Sequence, residues 1–174
     1  MGLFSIFKRK KVTEVDSHFE EHAEKVISEF DANDYLGKAA KAGHEAKDAA
    51  KAKKYDKAWG LYHDQKSFYM QHANRCGFTP IQTLALDATV HEEMANILRL
   101  EGKHHDALAN ILYWVLAGAN RPIKRHKQKF QAYFNRCKFE KTTLAEAESE
   151  IANQSALPEY TLAQSITSNW IARG

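Results

Sequence analysis

The chain has 174 residues, a formal net charge of +3, three prolines and two cysteines, and 44% of its residues are hydrophobic. That length suits one domain whose core buries roughly two-thirds of the unfolded surface, so no disulfide or metal staple is required. Cys76 and Cys137 lie far apart without CxxC spacing, which counts against a zinc or redox site and fits a reducing, cytoplasmic setting. So small a net charge argues by itself for neither a nucleic acid nor a membrane, and the local charge distribution has to decide.

The first eleven residues, MGLFSIFKRKK, place Leu3, Phe4, Ile6 and Phe7 before Lys8, Arg9, Lys10 and Lys11. A secretory signal has the opposite order. Gly2 invites a myristoylation reading, but the motif wants Ser or Thr where Ile6 stands. Residues 1–11 therefore read either as a solubilising tail or as a foot in peripheral contact with the inner membrane surface, where each basic residue contributes about 1 kcal/mol. Residues 12–174 are expected to form a single helical domain.

Val15, Phe19, Ala23, Val26, Ile27 and Phe30 share a helical face between Thr13 and Asp31. His18 and His22 sit four apart, as a chelating pair would, but no third ligand accompanies them, so they read as surface histidines. Residues 35–53 predict an alanine-rich helix and 56–73 one rich in aromatics (Trp59, Tyr62, Phe68, Tyr69), small side chains on the first facing large ones on the second. Thr79-Pro80-Ile81-Gln82 has the form of a capping box with proline at the first helical position. The stretch 84–122 organises the rest. Leu84, Ala88, Val90, Met94, Ala95, Ile97 and Leu98 give a wide apolar face; Glu101-Gly102 ends that helix, and residues 107–120 carry no charge. An antiparallel, largely buried helix pair is predicted.

From Asn120 to Cys137 a further helix is expected to turn Ile123, Phe130, Tyr133, Phe134 and Cys137 inward. Arg121, Lys124, Arg125, Lys127, Lys129 and Arg136 crowd the remainder with no acid among them, the strongest charge asymmetry in the chain. At 100° per residue Arg121, Lys124, Arg125 and Lys129 point towards solvent, which makes them the predicted partner-binding residues. The structural alternative is a solvated face opposite the acidic runs. Thr143-Leu-Ala-Glu146 opens a short acidic helix, and Leu157-Pro158-Glu159 opens a last one, carrying Leu162, Ile166, Trp170 and Ile171, that would close the stack.

Two units, 42–73 and 91–122, resemble tetratricopeptide repeats, whose pattern places small residues where two helices cross. Those positions fall on Ala46 and Ala58 in the first unit and on Ala95 and Ala107 in the second. Tyr55-Asp56-Lys57-Ala58 resembles the turn of the repeat closely, and Gly102 to Ala107 with the following Pro122 resembles it more loosely. The resemblance implies an all-α fold of antiparallel helical hairpins, stacked as a short tetratricopeptide-like solenoid or bundle of about seven or eight helices. It also implies a non-catalytic module that binds a protein or peptide partner in a groove lined by the helices at 38–53 and 84–100.

Catalytic signatures are sparse: there is no Gly-rich phosphate loop, no GxSxG and no HExxH, and His91-Glu92-Glu93-Met94 is followed by Ala95 where a second histidine should stand. Glu92 and Glu93 point to two sides of a helix, and His91 is expected to be packed and hydrogen-bonded. No cofactor or metal is expected. Two alternatives stay open: binding of nucleic acid or another polyanion through the basic helix 121–138, and an enzyme whose histidine site is assembled from residues distant in sequence.

Overall fold

The computed structural model describes residues 21, 22, 24–26, 33–152, 154 and 157–174. The chain divides into two units, Met1–Asp34 and Tyr35–Gly174. In the first, residues 21, 22 and 24–26 are helical and exposed; the expectations for residues 1–11, for the helix start at Thr13 and for His18 fall outside the described residues. Among its described residues the second is all-α, with seven helices: α1 (Tyr35–Lys51), α2 (Tyr55–Cys76), α3 (Pro80–Leu100), α4 (His104–Ala117), α5 (Lys124–Cys137), α6 (Leu144–Ala152) and α7 (Tyr160–Ala172). None of the described helices is long and apolar enough to cross a membrane.

The hairpin α1–α2 closes because α1 presents almost nothing larger than a methyl group. Ala39, Ala42, Gly43, Ala46 and Ala49 are its buried residues, and a Cβ on Gly43 would stand 2.8 Å from Gln65 Nε2 of α2. Tyr62, 2% exposed, supplies bulk from the α2 side. Between the two helices Lys53 takes the left-handed conformation (φ 58°), and the Lys54 amide bonds back to the Ala49 carbonyl at 2.9 Å. The hairpin α3–α4 turns the same way: Gly102 is left-handed (φ 77°) and the Lys103 amide reaches the Leu98 carbonyl at 2.9 Å. Lys53 and Gly102 are 49 positions apart, the spacing that also separates Ala46 from Ala95 and Ala58 from Ala107. All four alanines are 0% exposed. Packing and turn thus repeat together.

Local chemistry fixes the helix starts. Thr79 and Gln82 form a reciprocal capping box with Pro80 at the start of α3, and the Thr143 amide donates to Glu146 Oε2 at 2.8 Å while the Glu146 amide donates to Thr143 Oγ1 at 3.3 Å, opening α6. The uncharged α4 packs against α3, α5 and α7. Leu108, Ile111 and Leu112 of α4 are 0% exposed, and they share one apolar cluster with Phe130 and Phe134 of α5 and Trp170 of α7. A second cluster joins Ala46, Ala58 and Tyr62 to Val90, Met94 and Ile97 of α3, and Trp59 packs against both.

The α5 region departs from the sequence expectation. The helix starts at Lys124 rather than Asn120, since Pro122 disfavours the helical conformation at the residue before it and Ile123 is extended (φ −117°, ψ 152°). Ile123 is 50% exposed instead of lying on the inward stripe. His126 holds the buried position at that end, its ring 4.4 Å from Trp114 in an edge-on contact. A Cβ on Gly118 would stand 2.1 Å from His126 Cε1, so this site needs glycine. Burial lowers the His126 pKa from its ordinary value, against a smaller opposing pull from Glu92.

Candidate functional site

The helices α1 and α3, the first members of the two hairpins, together with α5 line two adjoining clefts. One, of about 430 Å³, lies between Lys47, Ala50 and Lys51 of α1, Tyr62 of α2, and Glu93, Asn96, Ile97 and Leu100 of α3. The other, of about 520 Å³, lies between Asn96 and Arg99 of α3 and Arg125, Gln128, Lys129, Ala132, Tyr133 and Arg136 of α5. Asn96 belongs to both walls, so the two clefts adjoin across it. The first corresponds to the groove expected between 38–53 and 84–100.

Of the four residues picked from the sequence, the structure brings two together. Arg125 donates to Glu92 Oε1, and the Lys129 ammonium stands 3.3 Å from the same oxygen. Glu92 is only 7% exposed, so each cation holds a carboxylate that α3 carries beneath the groove wall. Arg121, outside α5, and Lys124, its first residue, are exposed and line neither cleft. Glu92 and Glu93 do point to two sides of α3: Glu93 takes Lys47 of α1 at 3.5 Å and Asn96 Nδ2 at 3.1 Å.

Arg99 and Asn96 were not picked from the sequence, and Arg136 was noted only as one of the basic crowd on α5. A signal for the first two exists in Glu92, Asn96 and Arg99, which form a polar row at i, i+4 and i+7 along α3. Tyr133, 3% exposed, organises the cleft. Its hydroxyl donates to Asn96 Oδ1 at 2.7 Å, while Lys129 Nζ and Arg136 Cζ lie 5.9 and 5.7 Å from its ring centroid, within cation–π range. Burial raises the Tyr133 pKa, outweighing the nearby Arg99 and Arg136, so the hydroxyl keeps its proton.

A second constellation joins α2, α3, α4 and α7 in the interior. Lys66 Nζ stands 2.7 Å from His91 Nε2 and 3.1 Å from Asp87 Oδ1. An ammonium can only donate, so Nε2 accepts, and the ring proton on Nδ1 goes to Asn110 Oδ1 at 2.7 Å. The Asn110 amide nitrogen then donates to the Tyr160 hydroxyl and the Asp106 carbonyl, both at 2.9 Å. The Tyr113 hydroxyl donates to Asp87 Oδ2 at 2.8 Å. Burial alone would raise the Asp87 carboxyl, but the Lys66 ammonium and the Tyr113 hydroxyl, which both face it, hold it down at about 2. Each of these polar atoms is committed to another member of the network. His91, 2% exposed, is a packed and hydrogen-bonded histidine that pins four helices together.

Among the described residues no three His, Cys, Asp or Glu side chains converge as metal ligands would. No protein-family model matches the chain, and none of the curated proteins or solved structures compared with it matches either.

Proposed function

We propose that the chain is a tetratricopeptide-like interaction module that holds an acidic segment of a partner protein in the groove lined by α1, α3 and α5. The observation that carries this reading is the adjacency of the two clefts on either side of Asn96, with cations dominating the α3–α5 end. Arg99, Arg125, Lys129 and Arg136 stand there, with Glu92 the carboxylate that two of them hold. The repeat reading draws support from the matched turns at Lys53 and Gly102 and from the four buried alanines that recur at the same spacing. Charge complementarity of this kind chiefly sets partner choice and association rate.

The test is fluorescence anisotropy of a labelled glutamate-rich peptide, a neutral peptide of equal length, and single-stranded and duplex DNA, each across a salt series. The acidic peptide should bind, the neutral one should not, and Arg99→Gln with Arg136→Gln should weaken binding while melting is unchanged. Binding of DNA above the peptide, with a steep salt slope, would favour polyanion recognition by the basic helix instead.

A further inference from the structure

The cations of the groove are unevenly paired. At the α1 end Lys47 is engaged by Glu93 at 3.5 Å and Lys51 by Asp48 at 3.0 Å. At the α3–α5 end, Arg125 and Lys129 share a single oxygen of one carboxylate, Glu92 Oε1. Arg136 bonds the Ala132 carbonyl and Arg99 faces the Tyr133 hydroxyl; among the described residues neither is in an ion pair with a carboxylate. Four cations and one carboxylate leave an excess of positive charge, concentrated on a concavity of about 520 Å³.

Three of the four are guanidinium groups, whose forked donors match the oxygens of a phosphate in pairs. Tyr133 holds two of the four cations against its ring faces, and its own hydroxyl is fixed on Asn96, so much of the wall is already ordered before a ligand arrives. An excess of more than one charge on one spot suits a dianion better than a single carboxylate. Since the α1 end is internally paired and Arg121 and Lys124 do not line the groove, the excess is local and does not extend as the track a nucleic-acid backbone would follow.

We infer that the α3–α5 end of the groove is a pocket for one phosphate monoester, carried as a phosphorylated side chain on the segment that the groove binds. This rests on the groove reading above and specifies the chemistry that sits at one end of it.

The experiment uses the full chain and a short glutamate-rich peptide with one central serine, prepared unmodified and phosphorylated, with inorganic phosphate as competitor and single-stranded DNA as a second ligand. The phosphorylated form should bind about tenfold or more tightly than the unmodified one, and inorganic phosphate should displace it. Arg99→Gln with Arg136→Gln should make the two forms bind alike. Arg99→Lys with Arg136→Lys keeps the charge but removes the forked donors; it should retain binding and lose most of the discrimination, and it serves if the glutamine pair fails to fold. Equal binding of the two peptide forms to the native chain overturns the pocket and leaves the groove standing. A preference that survives both double substitutions also overturns it, as does single-stranded DNA binding more tightly than the phosphopeptide. Binding of inorganic phosphate with no binding of any peptide would support the pocket and overturn the groove.

Discussion

Lys53 and Gly102 hold the same left-handed place in two matched turns, one with a side chain and one without. A left-handed conformation costs an L-residue about 1–2 kcal/mol, and glycine gives back about 0.5–1 kcal/mol through its looser unfolded chain. Lys53→Gly should therefore stabilise the protein by about 0.5–1 kcal/mol, and Gly102→Ala should destabilise it by about 1 kcal/mol. Paired urea titrations check both, and a destabilised Lys53→Gly would show that the lysine side chain has a role of its own. Asp87 sets a second expectation. Its folded-state pKa of about 2 lies below its ordinary 3.8, so the carboxylate adds stability that is fully present above 3.8 and is lost as pH falls towards 2. The shift corresponds to about 2 kcal/mol. Asp87→Asn should flatten the stability curve between pH 4 and 2, and an acid limb as steep as the parent's would mean that other carboxylates cause it.

At the scale of helices, the α3–α4 crossing and the α5 surface respond differently. Ala95 and Ala107 are 0% exposed where the two helices approach, so Ala95→Leu or Ala107→Leu should cost about 1–3 kcal/mol by forcing the pair apart. Unchanged melting temperatures in both variants would contradict the packing. The four cations chosen from sequence separate into pairs. Arg121→Gln with Lys124→Gln should leave stability within about 0.5 kcal/mol. Arg125→Gln with Lys129→Gln strands the carboxylate of Glu92 behind the groove wall and should cost about 1–3 kcal/mol. Thermal melts of the two double variants decide this; equal losses would mean that Glu92 finds other partners.

Across the whole of the second unit, the two apolar clusters meet at Trp59, which packs on both. Helical-hairpin arrays owe their cooperativity to such neighbour contacts. Trp59 is only partly buried, so Trp59→Ala should cost about 2 kcal/mol, below the range of fully buried aromatics, and should lower the denaturant m-value as the two halves begin to melt apart. A destabilised variant with an unchanged m-value would place the coupling elsewhere, with the Lys66–His91–Asn110–Tyr160 chain the first alternative.

What the sequence determined by itself is what depends on neighbours a few positions away. The Thr79 and Thr143 caps, the end at Gly102, the alanine face of α1 and the buried α4 all follow from spacings within one or two helical turns, because capping and helix periodicity are local interactions. The same reasoning fails at Ile123, because the helix begins only at Lys124 and leaves Ile123 in the extended N-cap position after Pro122. Tertiary structure alone decided the rest. Arg125 and Lys129 meet Glu92 across 33 and 37 positions, and Asn110 meets Tyr160 across 50. Charge counted along α5 could not distinguish the two cations that hold a buried carboxylate from the two that face water. Which helix lies opposite is set by burial of the apolar faces of α3, α4, α5 and α7 together, and the position of each cation follows from that packing.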